Sequence, residues 1–455
     1  MSETGQAQSA RPRSGDELEL VIDRLAHGGA GVARTNGYVV FVRGAVPGDR
    51  VRARVTKSKR SFAEADSIEL LEPSPERIVP RTSHPGAPWQ VLPYERQLAE
   101  KESQVRDALE RIGRFERPPV APIVAASQEL RYRNKLEYSF GEDDHGELVL
   151  GFHRPGRFDV IDPVERDILT SERVDALRAA VIAWCRDEGL TSWDRRDQAG
   201  LLRNLVVREG RRTGQLQARL VTGPGSSLRI DELAAVAPAD SFLWTRAAGV
   251  AETTRDGETQ VVKGSAYLEE GLAGLRFRIS PNAFFQTNTE MAERLYGEAL
   301  ALAGLSGREN VLDLFCGIGT IGLVMALDAG EVWGVELVEE AVADAIENAR
   351  LNGIDNASFF AGDVRLAMRP LLERSGRPDV VVVDPPRAGL SQKVVRRVLE
   401  AEARRIVYVS CNPTTLAPNA RQMVDAGYEL RSVRPVDMFP QTPHIECVAM
   451  LERSG

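Results

Sequence analysis

NVLDLFCGIGTIG, residues 310–322, reads as an apolar strand that runs into a glycine-rich turn, with a helix beginning near Thr320. Glycine lets a backbone come close to a ligand. Gly317, Gly319 and Gly322 satisfy the spacing G-x-G-x-x-G, and Glu336 closes the next apolar run, EVWGVE. A carboxylate there can accept hydrogen bonds from ribose hydroxyls. The spacing by itself leaves open a dinucleotide and any other adenosine cofactor. What it does set is an α/β unit with its ligand at the carboxyl edge of the strands.

Moving along the chain, the third apolar run ends in Asp363 within FFAGD, placed to meet an adenine edge, and the fourth is DVVVVDPPR. Two prolines after a strand force an extended, rigid exit, which leaves Asp384 at the carboxyl edge beside the cofactor. With Asp313 in DLFCG, as in class I methyltransferases, these features favour S-adenosylmethionine over NAD. Nucleic-acid methyltransferases often carry D/N-P-P at the position of Asp384.

The next strand, RRIVYVSC, delivers Cys411 to the same edge, followed by an Asn412-Pro413 turn and a helix from about Thr414. A lone cysteine is ordinarily a small core hydrophobe. One that ends a strand beside a helix N-terminus is favoured as a thiolate, and we expect Cys411 to be nucleophilic. Cys185 and Cys316 keep the core reading. In QTPHIECVAML, Glu446 stands one residue into an otherwise apolar strand, where desolvation raises its pKa and makes it a stronger base than a surface glutamate. In the class I fold the last strand runs antiparallel, so Glu446 is expected near Cys411 and Asp384. Cys447 faces the other way and reads as core.

The remainder frames this region. With 455 residues, 43% hydrophobic and 27% charged, the chain is long enough for two or three domains. Four scattered cysteines without C-x-x-C or zinc spacing suit a reducing compartment, and no metal site is expected. No apolar run is long enough for a membrane helix and no signal peptide is evident, so a cytoplasmic location is expected. The net charge of −8 argues against indiscriminate polyanion binding. Residues 1–14 read as a disordered tail. Residues 15–75 read as a small β-barrel of strands broken by glycine turns, with Arg50, Arg52 and Arg54 on one face and Lys57, Lys59 and Arg60 beyond. Such a stripe suits an RNA backbone, or a charged edge strand. Residues 76–121 form a proline-rich linker and an amphipathic helix with Leu98, Val105, Leu109 and Ile112 at helical spacing. Residues 122–280 read as a central α/β domain on the RNA path, and 281–455 as the methyltransferase domain.

HGGAGVAR followed by YVVFVRGAVPGDRVRARV closely resembles the TRAM domain, an OB-like barrel attached to RNA-modifying enzymes. FFQTN, DLFCGIG, DPPR, SCNP and PHIE, in that order, resemble the RNA 5-methyluridine methyltransferase family over nearly the whole chain. The resemblance implies a Rossmann-like seven-stranded sheet with an antiparallel last strand, and an rRNA or tRNA substrate. It implies that Gln286, Phe315, Thr320, Glu336, Asp363 and Asp384 bind or position S-adenosylmethionine and the base, with Thr320 in a slot often held by another polar residue. Cys411 would be the nucleophile and Glu446 the base. Many relatives carry a four-cysteine iron–sulfur cluster, with ligands in the stretches that read here PRTSHPGAPWQVLPYERQ and VERDIL. Neither contains cysteine, so no cluster is expected, and a monomer is. Two other classes remain. A base-nitrogen methyltransferase would survive Cys411→Ala, and a non-catalytic RNA-binding protein would fail to bind S-adenosylmethionine.

Overall fold

The computed structural model describes residues 11–194, 196–224, 228–248, 254 and 257–454. Of the tail assigned to residues 1–14, residues 1–10 lie outside them. Six strands, β1 (Glu17–Val21), β2 (Arg24–Leu25), β3 (Gly31–Thr35), β4 (Tyr38–Arg43), β5 (Arg50–Ser58) and β6 (Phe62–Glu72), pair in the order β1-β5-β6-β4-β3-β2. The sheet curls around one small core of Leu20, Ile22, Val40, Val42, Val51, Val55 and neighbouring alanines.

Alternation along β5 buries Val51, Ala53 and Val55 and turns Arg50, Arg52 and Arg54 outward. The stripe is therefore on one face, but it is not a bare cationic surface. Arg50 pairs with Glu19 and Glu72, Arg52 with Glu69 and Glu19, Arg54 with Glu17, and Lys57 with Glu64. Cross-strand register puts the glutamates directly opposite, so four cations face five carboxylates.

The linker is tied at both ends. Asp49, fully buried, accepts from the amides of Val46 and Ser74 and from the Arg77 guanidinium at 2.8 and 2.9 Å. Further on, His84 Nε2 lies 3.1 Å from Asp167 Oδ1, and Tyr138 donates to Asp167 Oδ2 at 2.7 Å, all buried. Burial alone would raise the Asp167 carboxyl; the bonds from His84 and Tyr138 hold it below its ordinary value. The two stretches that carry cluster cysteines in relatives are joined here through His84 and Asp167.

Helix α1 (Tyr94–Arg111) packs against the C-terminal domain, with Val105, Ala108 and Leu109 in that domain's core. Of the expected apolar stripe Val105 and Leu109 are buried, Leu98 is half-buried and Ile112, at the C-cap, is exposed; the polar residues Gln97, Glu100, Lys101 and Gln104 are buried beside them. The central sheet, ordered β13-β12-β11-β10-β7-β8-β9, is formed by β7 (Lys135–Glu142), β8 (Leu148–Arg154), β9 (Arg157–Pro163), β10 (Leu202–Glu209), β11 (Leu216–Thr222), β12 (Ser241–Arg246) and β13 (Glu258–Lys263). Helices α2 (Glu172–Asp187) and α3 (Ile230–Val236) pack on it. A ribbon, β14 (Leu268–Leu272) and β15 (Leu275–Ile279), leads onward.

The C-terminal domain opens with α4 (Thr289–Ala303) and alternates β16 (Asn310–Leu314), α5 (Thr320–Ala326), β17 (Glu331–Glu336), α6 (Glu339–Leu351), β18 (Ala357–Ala361), α7 (Val364–Ser375), β19 (Val380–Val383), α8 (Gln392–Glu400), β20 (Arg405–Ser410) and α9 (Pro413–Asp425). It closes with β21 (Tyr428–Val436) and β22 (Glu446–Arg453). The order is β18-β17-β16-β19-β20-β22-β21, parallel from β18 to β20, with β22 inserted antiparallel. Val380 and Val382 face one core and Val381 and Val383 the other, as a strand covered by helices on both faces requires. Residues 119–124 run along β21 through bonds to Val433 and Pro435 and cover the sheet's edge. Among the described residues no helix is long and apolar enough to cross a membrane.

Candidate active site

Every strand from β16 to β20 ends at one edge, and the glycine turn opens there. Phe315 leaves β16 with φ at 65°, a left-handed conformation costly for an aromatic residue, held because its amide and that of Cys316 both bond the Val335 carbonyl. Gly317, at φ 54°, continues the turn, and nothing lies within 4 Å of where its Cβ would stand, so a ligand has room to approach. The Glu336 carboxylate accepts from the amides of Gly317, Leu337 and Val338, which fixes it at the end of β17. Thr320 begins α5, and its hydroxyl is 3.2 Å from the phenol of Tyr296. A rigid, open turn with a fixed acidic acceptor fits an adenosine ligand. Asp363 caps α7 and accepts from the Arg365 amide and guanidinium; the guanidinium bond, ahead of the cap, holds its carboxyl down to about 2. Gln286 is buried, its carbonyl bonded by Asn134.

Cys411 and Glu446 are brought together by strand pairing. Ser410 stands opposite Cys447, so one step further along the antiparallel register Cys411 meets Glu446. Asp384 follows β19 at the same level, its amide bonded to the Leu314 carbonyl. Three carboxyls thus crowd one apolar edge. Burial pushes Asp384 up to about 7. Asp313 is pushed up to about 8 by burial and the charge of Asp384, and Glu446 well above the carboxylate range by the same two causes.

The resting thiolate expected at Cys411 is not what this environment favours. Burial first, then the charges of Glu446 and Asp384, push the thiol up to about 11, opposed by Arg387. The helix N-terminus gives little help because Asn412 already caps it, accepting from the amide and hydroxyl of Thr414. Cys185, Cys316 and Cys447 are buried. Tyr296, buried beside Thr320, is raised by burial and by the neighbouring charges of Asp384, Asp313 and Glu446. It went unnoticed in the sequence, since a tyrosine on the buried face of an amphipathic helix carries no distinguishing signal.

Beside this edge the β2–β3 turn, Arg133 before β7 and the segment before β22 converge. Gly29 of the β2–β3 turn packs against Pro443 so closely that a Cβ would sit 2.8 Å from its ring, which sets His27 near His444. His444 lies edge-on to Phe439, over which the Arg133 guanidinium stacks at 5.6 Å. Burial and then Arg387, Arg133, Lys101 and His27 push His444 down to about 4; burial and Arg387 also lower His27. Arg387 and Arg133 form no ion pair among the described residues, in contrast to the compensated stripe on the barrel. Among the described residues, no group of three His, Cys, Asp or Glu could hold a metal ion.

The strand order and this edge define a class I S-adenosylmethionine-dependent methyltransferase. The family described as tRNA (Uracil-5-)-methyltransferase matches residues 246–454, and the TRAM domain matches residues 12–68. An uncharacterised RNA methyltransferase of Halalkalibacterium halodurans is 37% identical over 98% of this chain and 99% of its own, and one of Gloeobacter violaceus is 40% identical over 97% of each. Among solved structures, the tRNA (uracil-54, C5)-methyltransferase of Pyrococcus abyssi, in complex with S-adenosyl-L-homocysteine, superposes with a TM-score of 0.77 at 28% identity, over 95% of this chain and 100% of its own. The chain belongs to the RNA (uracil-5-)-methyltransferase family of S-adenosylmethionine-dependent enzymes.

The buried acids make stability pH-dependent. Below about pH 4 they are protonated both folded and unfolded. As pH rises toward the folded values of about 7 for Asp384 and about 8 for Asp313, the unfolded chain has released protons that the folded one still holds, and stability falls. Thermal melts of the free protein should therefore show Asp384→Asn more stable than wild type at pH 8, with the gap narrowing through pH 5 and closing near pH 4.

Proposed function

We propose that this protein methylates C5 of uridine in structured RNA, rRNA or tRNA, through a covalent Cys411–C6 adduct. The observation that carries this is the antiparallel register that sets Glu446 opposite Cys411 beside Asp384. The TRAM domain and the superposition on a protein described as a tRNA uracil-C5 methyltransferase support the RNA substrate. Gln286, Phe315, Thr320, Glu336, Asp363 and Asp384 would hold S-adenosylmethionine and the base, Glu336 at the ribose and Asp363 at the adenine edge. No iron–sulfur cluster enters the scheme. Four free cysteines suit a cytoplasmic protein, and no step calls for a second copy of the chain.

Uracil C5 is too weak a nucleophile to take a methyl directly. The Cys411 thiol gives up its proton to solvent, the thiolate sulfur bonds to C6, and the electron pair of the C5–C6 double bond moves into an enolate. S-adenosylmethionine supplies an electrophilic methyl, which C5 accepts. Glu446 then takes the C5 proton, the C6–S bond breaks, and the double bond is restored with the thiolate released. Glu446, held neutral at rest, must give its own proton to solvent before this step, and its raised pKa then makes it a strong base. Arg387, whose charge favours the Cys411 thiolate, would also meet RNA phosphate with Arg133, because neither forms an ion pair among the described residues, and His27 and His444, held below the ordinary imidazole value, would add neutral hydrogen-bonding groups. The uridine must leave its stack to reach Cys411.

RNA carrying 5-fluorouridine tests the reaction, because fluorine cannot leave C5 as a cation. With S-adenosylmethionine, wild type should form a protein–RNA band stable to denaturation, and Cys411→Ala none. No band on a sequence that wild type methylates when unfluorinated would turn the reading to base-nitrogen methylation. Binding titrations across salt should show Arg387→Gln lowering the salt slope by about one, and Arg52→Gln leaving it nearly unchanged.

A further inference from the structure

Nine residues, 437–445, link β21 to β22 and determine where Glu446 enters the sheet. Within itself the loop bonds at Phe439, whose amide donates to Asp437 and whose carbonyl accepts from Thr442, and at His444, whose amide donates to Thr442. Its four consecutive carbonyls from Met438 to Gln441 are taken by donors from four places outside the catalytic sheet: Asn288 at the α4 N-cap, Lys101 on α1, Tyr132 before β7, and the amide of Trp89, at 2.9, 3.0, 2.9 and 2.9 Å. Backbone groups that cannot bond locally take their shape from whatever satisfies them.

Helix α1 contributes most. Tyr94, Gln97 and Lys101, spaced at i, i+3 and i+7, share one face. Gln97 bonds Gln441 twice, accepting from its amide at 2.9 Å and donating to its side-chain oxygen at 2.8 Å. Lys101 donates to Asp437 at 2.6 Å, and Tyr94 to the other carboxylate oxygen at 2.9 Å. Gln97, Lys101 and Asp437 are all fully buried. Burying a lysine is costly, and a helix facing a core would ordinarily present apolar residues instead. Gln441 is held at φ 65°, a conformation that persists only where surroundings enforce it.

We propose that Gln97 and Lys101 are positioning residues for Glu446, registering its loop through Gln441 and Asp437 so that the carboxyl stands against the C5 proton of the adduct. The proposal rests on the reading of Glu446 as the base. That base acts only after the Cys411–C6 bond has formed and the methyl has moved, so a displaced Glu446 slows release of the adduct and not its formation.

The test uses full-length protein, ordinary uridine RNA and S-adenosylmethionine, with the covalent adduct quantified on denaturing gels at steady state. Glu446→Gln is the reference. Gln97→Met removes the Gln441 bonds, together with those to the Trp89 and Leu92 carbonyls, without leaving a buried charge unpaired; Gln97→Asn, which keeps a shortened amide, is read beside it in case Gln97→Met does not fold. We expect turnover down by at least about tenfold, adduct up by a similar factor, and KM for S-adenosylmethionine changed less than about twofold. Slower turnover without adduct, or a lowered melting temperature with normal turnover below it, would overturn the proposal. If Glu446→Gln accumulates adduct and both Gln97 variants do not, the proposal alone falls; if Glu446→Gln does not, the reading of the base falls with it.

Discussion

The insertion of β22 antiparallel between β20 and β21 is the constraint on which the site depends. A parallel last strand would begin at the far edge of the sheet and leave its first residue a full strand length from the nucleophile. Running backwards, β22 begins where β20 ends, and its first residue, Glu446, meets Cys411 by continuation of the pairing between Ser410 and Cys447. The same pairing explains why Glu446 is buried: Val436 lies on its other side, inside the sheet.

That geometry sets an electrostatic problem. Asp313 and Glu446, buried, and Asp384, half-buried, share one edge, and Arg387 and Arg133 stand nearby. Desolvation therefore keeps protons on the acids and on Cys411 in the free protein. Such a site is poised for positively charged or polarisable ligands, which is consistent with a sulfonium co-substrate. Arg387 and Arg133 form no ion pair among the described residues, whereas Arg50, Arg52, Arg54 and Lys57 on the barrel are paired with its own glutamates.

Much of this was legible in the sequence, and the limits have physical causes. Strand ends and the stops after them put Asp384 and Cys411 at one edge, because a strand's end is a local property; Glu446 joined them only through the antiparallel last strand expected of the class I fold. Alternation also put Arg50, Arg52 and Arg54 on one face, but it could not show that Glu17, Glu19, Glu69 and Glu72 face them from β1 and β6, since register is a long-range property. The thiolate expected at Cys411 failed for a related reason: the helix N-terminus was visible, but not the cap by Asn412 or the convergence of the acids. The apolar stripe of α1 was legible at Val105 and Leu109, but the buried polar face beside it was not, because its partners, Asp437 and Gln441, lie more than three hundred residues away.

The central claim is that the methyl arrives at C5 while the proton there departs. Substrate RNA labelled with tritium at uridine C5 tests it directly, by comparing tritium released to water with methyl groups incorporated. The account predicts one tritium lost for each methyl gained. Methyl incorporation with tritium fully retained would contradict it and move the chemistry to another atom of the base.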